Sequence, residues 1–210
     1  MRTLRPIAIS TTSFPTRRGP YPVGSTSVIF RFQVELSDID RGIYESLDLR
    51  VAQHPSEDED RMVVRVLAMA LAHEEGLDFG RGLSNPDEPA MRAYGMTGQV
   101  ETWIDVGLPS AERLHKASKA CGKVLIFTRR PTEMLLKEWR KRKIHRAEDI
   151  QVHRLAPEFV ADLARDIERR STWYVTVQDH VLTVGIGDRI LETQVEVISL
   201  GSLCSTAAGA

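Results

Sequence analysis

KVLIFT, residues 123–128, is a compact apolar run flanked by two helical stretches, AERLHKASKA (111–120) and PTEMLLKEWRKRK (131–143). A run this short and this uniformly apolar reads as a strand buried on both faces. Ser110 is placed to cap the helix before it, and Pro131 sits in the first turn of the helix after it. Further on, IQVHRL (150–155) reads as a strand and PEFVADLARDIERR (157–170) as a helix. Upstream, PAMRAYGM (89–96) and QVETWIDVG (99–107) meet at Thr97-Gly98 as paired strands. Before them, LDFGRGL (77–83) is a short extended segment broken by Gly80 and Gly82. Strands mixed with crossover helices predict an α/β (α+β) domain with a mixed central sheet flanked by helices.

β segments flank this core at both ends. VIFRFQVEL (28–36) and YESLDLRVAQ (44–53) alternate as half-buried strands do, and SDIDRG (37–42) turns the chain between them. His54-Pro55-Ser56-Glu57 then opens a helix, with Ser56 as N-cap and Glu59 completing a capping box. Met62, Val63, Leu67, Ala70 and Leu71 keep helical spacing, which predicts a largely buried helix to about Glu75. TWYVTVQDHVLTVGIGDRILETQVEVISL (172–200) reads as a meander turning at Gln178-Asp179 and Gly187-Asp188. The organisation expected is a disordered extension over 1–26, one domain over 27–200 and a loose tail over 201–210.

The chain has 210 residues, 42% hydrophobic and 27% charged, a globular balance. Its net charge of −1 and pI near 6.6 argue against a dedicated, strongly basic nucleic-acid binder. They do not argue against a nuclease, whose metal site needs clustered carboxylates. No run is long enough to span a bilayer, and MRTLRPIAIS has no apolar stretch of secretory type. Cys121 and Cys204 lack metal-type spacing, so a reduced cytoplasm is the expected compartment. The six histidines show no HxH or HExxH spacing, which excludes the common zinc-enzyme patterns.

The chemistry-bearing stretch runs from Asp87 to Lys116. Asp87-Glu88-Pro89 opens one strand and Glu101 lies on its neighbour, so a short turn would bring their carboxylates together. Oxygen ligands facing one opening suit Mg²⁺, with Mn²⁺ as its substitute. An ion held there can activate water and neutralise charge on a phosphate. Glu101 and Asp105 are about 13 Å apart along the strand, so Asp105 is expected to pair or cap near the strand end. Lys116 follows on the next helix. The plain alternative for Asp87 and Glu88 is a solvated turn. WRKRKIHR (139–146) places Arg140, Lys141, Arg142 and Lys143 where they would track a phosphate backbone beside Trp139. Its alternative is a solvated helix end favoured by the helix dipole, with Trp139 packed inward. Glu57 and Arg61 have the i, i+4 spacing of a structural pair, and Arg65 stands four residues further on; an arginine beside a phosphate site fits the same spacing.

HPSE (54–57), FGRGL (79–83), DEPA (87–90), WIDVG (103–107) and HKASK (115–119) occur together in an order and spacing that resembles the YaeQ family, over about residues 28–198. That family is similar in fold to the PD-(D/E)XK nucleases. The resemblance implies a metal-binding acid from DEPA (Asp87 or Glu88), a second acid at Glu101, and Glu57 as a helix carboxylate. It also exposes a departure: Trp103 stands where the nuclease motif has lysine, and an indole supplies one neutral donor. Lys116, with Lys119 second, is then the candidate for a lysine moved to the neighbouring helix. The function implied is Mg²⁺-dependent attack on nucleic-acid phosphodiesters. The alternative is a non-catalytic nucleic-acid or protein-binding regulatory module that keeps the fold.

Overall fold

The computed structural model describes residues 27–80, 87–165 and 167–206. The extension expected over 1–26 and the end of the tail, 207–210, lie outside these residues, as does the 81–86 part of the FGRGL stretch and of the loop before Asp87.

β1 (Val28–Asp38) and β2 (Ile43–Gln53) form the expected antiparallel hairpin, and α1 (Glu59–Leu71) follows. β3 (Asp78–Phe79), β4 (Met91–Tyr94) and β5 (Val100–Val106) lead into α2 (Ala111–Ala120). β6 (Lys123–Thr128), α3 (Thr132–Trp139), β7 (Ile150–Arg154) and α4 (Pro157–Arg165) continue the alternation. β8 (Arg170–Gln178), β9 (Val181–Ile186), β10 (Arg189–Gln194), β11 (Glu196–Ser199) and α5 (Leu200–Thr206) close the chain. The strands form two mixed sheets, ordered β10-β9-β8-β1-β2 and β11-β7-β6-β5-β4-β3. The flanking β segments of both chain ends thus join each other: β1 pairs with β8 in parallel.

One hydrophobic cluster fills the space between the sheets. Phe32, Val34, Trp173 and Val175 face it from the first sheet, α1 and α4 lie within it, and Leu125 and Phe127 face it from β6. Trp173 meets the Phe32 ring edge-on at 5.1 Å between centroids. Val124 and Ile126 of the same strand face a second cluster with α2, α3 and α5. β6 is therefore buried on both faces, as its composition required. The layers run first sheet, α1 and α4, second sheet, then α2, α3 and α5.

The helix expected over 157–170 is α4 only to Arg165, with Arg170 opening β8, and three further boundaries differ from expectation, each for a local reason. Asp58, not Ser56, caps α1, its carboxylate accepting from the Arg61 N–H at 2.7 Å, while the Ser56 hydroxyl pairs with His54 Nδ1. α1 ends at Leu71 rather than near Glu75, and Arg41 of the β1–β2 turn donates to the carbonyls of Ala70 in its last turn and of His73 beyond it. α3 stops at Trp139 with Arg140 as its C-cap, so the helix ends there rather than running on to Lys143. Trp139 is buried and donates its indole N–H to the Pro109 carbonyl at 2.9 Å, and the chain then turns through Arg146 at φ 48°. The tail is also ordered further than expected: α5 buries Leu200 and Leu203 against the second cluster. No helix among the described residues is long and apolar enough to cross a membrane.

Candidate nucleic-acid interface and the separated carboxylates

The β4–β5 hairpin decides where the acids go. Met91 pairs with Ile104 and Tyr94 with Val100, so the turn at 95–99 lies beside Glu101. Asp87 and Glu88 precede Met91 and occupy the open end of the same hairpin. Glu101 is three residues, roughly 10 Å, from Ile104 in the other direction. The strand pairing thus sends Asp87 and Glu88 to one end of β5 and Glu101 to the other. They do not share an ion site.

At the open end the gathering residue is Arg113, in the first turn of α2. Its Nε donates to Asp105 Oδ2 and one terminal nitrogen donates to Oδ1, both at 2.7 Å, and that nitrogen also donates to the Glu88 carbonyl at 2.5 Å. The fork geometry of guanidinium matches a carboxylate in this two-point way. The guanidinium lies 5.2 Å from the Trp103 ring, and the Trp103 indole N–H donates to Asp105 Oδ2 at 2.9 Å. Asp105, almost fully buried, thus pairs near the strand end as its position suggested. Three of the roughly four acceptor sites of its carboxylate are used. The Glu88 carboxylate pairs with Arg92 at 3.0 Å. Sequence order pointed to Lys116 for the positive charge; Lys116 is exposed and pairs with Glu112 at 3.4 Å.

Glu57 is a buried structural anion. Its oxygens accept from Arg61 at 2.6 Å and from Arg65 at 2.9 Å, and the backbone N–H of His54 approaches at 3.4 Å. Burial lowers the Arg65 guanidinium's pKa, with Glu57 opposing that shift. The pairing read from the i, i+4 spacing of Glu57 and Arg61 is present.

Glu101 opens on a surface cleft of about 690 Å³ that it shares with Glu74, Thr102 and Lys123. Lys123 donates to Glu74 at 2.7 Å. Burial pushes the Glu74 carboxyl up, but hydrogen bonds from Lys123 and Thr102 outweigh it and hold the group below its ordinary value. Neither Glu74 nor Lys123 was visible as a candidate in the sequence. Lys123 enters because β6 runs parallel to β5, with Thr102 opposite Lys123. Among the described residues no group of three or more His, Cys, Asp or Glu side chains is arranged to hold a metal. The residues expected to hold Mg²⁺ therefore do not fit one ion as they are placed.

The basic residues do converge. The segment after α3 packs on α2, where the His145 N–H approaches His115 Nδ1 at 3.2 Å and the two imidazoles lie 6.3 Å apart. Desolvation, then the charges of Lys119 and Arg142, hold the His115 imidazole below its ordinary pKa. Arg142 and Lys143 are exposed and their side chains have no partner among the described residues. Arg140 is tied to the Cys204 carbonyl at 2.6 Å, and Lys141 to Glu138. Of the four predicted nucleic-acid contacts, Arg142 and Lys143 thus remain available, joined by Lys119 from a motif 20-odd residues upstream.

Comparison with known proteins gives a consistent result. The YaeQ protein family matches residues 24–195. YaeQ of Escherichia coli (strain K12) is 30% identical over 158 residues, 74% of this chain and 87% of that protein. YaeQ of Salmonella typhi is 29% identical over 170 residues, 80% of this chain and 93% of that protein. The crystal structure of YaeQ from Pseudomonas syringae superposes with a TM-score of 0.76 at 32% identity, covering 81% of this chain and 95% of that one. YaeQ from Xanthomonas axonopodis pv. citri gives the same score and identity over 82% and 98%. The chain belongs to the YaeQ family.

Proposed function

We propose that this member of the YaeQ family binds nucleic acid through the basic surface formed by α2 and residues 140–146, on a core of PD-(D/E)XK type. The order α1, β3, β4, β5, α2, β6 supports that core assignment. The observation that carries the binding reading is the packing of His145 on His115, which brings Lys119 together with Arg142 and Lys143. Clustered exposed cations release counterions from a phosphate backbone, and binding of this kind weakens as salt rises. Fluorescence anisotropy with a short labelled DNA duplex tests it. Arg142→Glu with Lys143→Glu should weaken binding on the order of tenfold or more and flatten the salt dependence by about 0.9 for each phosphate no longer neutralised. Unchanged affinity and slope would overturn the assignment of this surface.

Cleavage of phosphodiesters is the second reading, and one observation favours it. In the antiparallel hairpin, Asp87 and Glu88 before β4 lie at the same end of β5 as Asp105, which gathers three acidic residues there. Incubating DNA and RNA with the protein and Mg²⁺ or Mn²⁺ tests it. Cleavage abolished by Asp105→Asn would place the chemistry at this end, and cleavage abolished by Glu101→Ala would place it in the cleft. No cleavage of any nucleic acid retires the reading.

A further inference from the structure

The outer face of the first sheet carries an arrangement that the basic surface on α2 does not explain. Arg31 of β1 is directly opposite Arg50 of β2 and directly opposite Arg170 of β8. Residues paired in register point to the same side of a sheet, so the three guanidinium groups stand in one row across three adjacent strands. At the usual strand spacing the row spans roughly 10 Å. All three side chains are exposed, and none has an ion-pair or hydrogen-bond partner among the described residues. Asp48 lies two residues from Arg50 on the same face, yet no ion pair joins them. Glu35, further along β1, is engaged instead by the Ser46 hydroxyl and the Gln33 amide. Like charges directly opposite one another destabilise a sheet. No ion pair or hydrogen bond among the described residues offsets that cost in this row.

The same face continues into a platform. Tyr174, four residues along β8 from Arg170, is 60% exposed, and Tyr44 on β2 is 66% exposed. Tyr174 is paired with Gly185 on its β9 side, so no side chain covers that flank of the ring. Gln33 and Thr172, in register on β1 and β8, lie between the arginine row and Tyr174 and offer hydrogen-bonding groups. The chain preceding β1 has Arg2, Arg5, Arg17 and Arg18 and no acid through residue 26, so its own charge disfavours it as the occupant of an arginine row.

We propose that this face binds single-stranded nucleic acid, the phosphates along Arg50, Arg31 and Arg170 and a base on Tyr174. Charge complementarity calls for a polyanion, and the exposed aromatic ring selects one with free π-faces: bases in a single strand are available for stacking, whereas those of a duplex are not. An acidic peptide would satisfy the arginines and leave Tyr174 unused. The inference deepens the nucleic-acid-binding reading by adding a second surface, on the outermost layer opposite α2.

The probe is a labelled oligothymidylate, titrated by anisotropy into the full chain and its variants. The triple variant Arg31→Ala, Arg50→Ala, Arg170→Ala should weaken binding at least tenfold and reduce the salt slope. Tyr174→Ala should weaken it severalfold without changing that slope. Both variants should leave binding of the short duplex unchanged, whereas Arg142→Glu with Lys143→Glu should do the reverse. Removing the like-charged row should leave the melting temperature equal to or above that of the wild type. A fall in melting temperature would show that the arginines are structural and overturn the proposal. So would absence of oligothymidylate binding, or its loss in the α2-surface variant alone, an outcome that leaves the reading of that surface standing. Loss in the triple variant with no effect of the α2-surface variant on either probe upholds the sheet face and removes the other surface. Equal binding of polyglutamate, abolished in the same triple variant and insensitive to Tyr174→Ala, would assign the face to an acidic protein partner and overturn the nucleic-acid proposal.

Discussion

His153 should make the fold sensitive to acid. It lies on β7 with its imidazole stacked on Phe127 at 4.5 Å between centroids, and its Nε2 is buried with no hydrogen-bond partner. Burial, then the charges of Arg41, Lys123 and His180, push its pKa down to about 4. An unfolded histidine titrates near 6.5. Between those values the unfolded chain binds the proton that the folded chain refuses, so stability is intact above about pH 6.5 and falls as pH drops toward 4. The full span of about 2.5 pK units corresponds to about 3 kcal/mol, and the part that disappears between about pH 7.5 and about pH 5 is about 2 kcal/mol. That is a large fraction of a typical total of 5–15 kcal/mol. Urea unfolding of the wild type and of His153→Phe, which keeps a ring on Phe127, isolates the contribution. The difference between the two proteins should shift in favour of the variant by about 2 kcal/mol over that interval, a midpoint change of roughly 1 M urea. Two curves that stay parallel with pH would refute a neutral, buried His153.

Glu57→Gln removes the anion between Arg61 and Arg65, leaving Arg65 buried without its counter-charge. It should cost about 3 kcal/mol in urea unfolding, whereas a catalytic Glu57 would lose activity at unchanged stability. Arg113→Met leaves the Asp105 carboxylate buried with only the Trp103 indole as donor, and should cost about 2–4 kcal/mol, read by thermal melting. Ser110 caps α2 by accepting from the Arg113 N–H at 3.2 Å; Ser110→Ala should lower stability by about 1 kcal/mol and Ser110→Gly by only a few tenths.

The strands and helices were legible wherever burial imposed a period. Alternation along 28–53 gave the first hairpin, and the unbroken apolar run 123–128 gave a strand covered on both sides, because the chain there has only one way to hide its side chains. The candidate site was not legible, because sequence order carries no strand sense. In an antiparallel hairpin the start of the first strand lies beside the end of the second. Asp87 and Glu88 therefore lie toward Asp105, and Glu101 is stranded at the turn. Arg113 escapes a motif search for a related reason: its signal is position, the first turn of a helix that follows Asp105 directly, and no motif spacing announces a guanidinium fork. Lys123 becomes visible only with the parallel register of β5 and β6, a non-local fact.

Arginine usage separates structural charge from charge available to a ligand. The most deeply buried paired acids are answered by arginine, Glu57 with Arg61 and Arg65, Asp105 with Arg113 and Asp38 with Arg41 at 2.6 Å, as is the half-buried Glu88 with Arg92, whereas the half-buried Glu74 and Glu138 take lysines. Leaving a buried charge unpaired is costly, so these pairs need no ligand to account for them. Such arginines are poor candidates for contacting phosphate, since each would have to abandon a carboxylate to do so. The row Arg50, Arg31 and Arg170 is governed by the opposite logic. These side chains are exposed with no acid paired to them among the described residues, in a register that sets like charges side by side. With a net charge of −1 the chain has acids enough to interleave among them, and Asp48 on the same face does not pair. Stability of the isolated chain would favour a mixed row; an external polyanion would favour the row that is present.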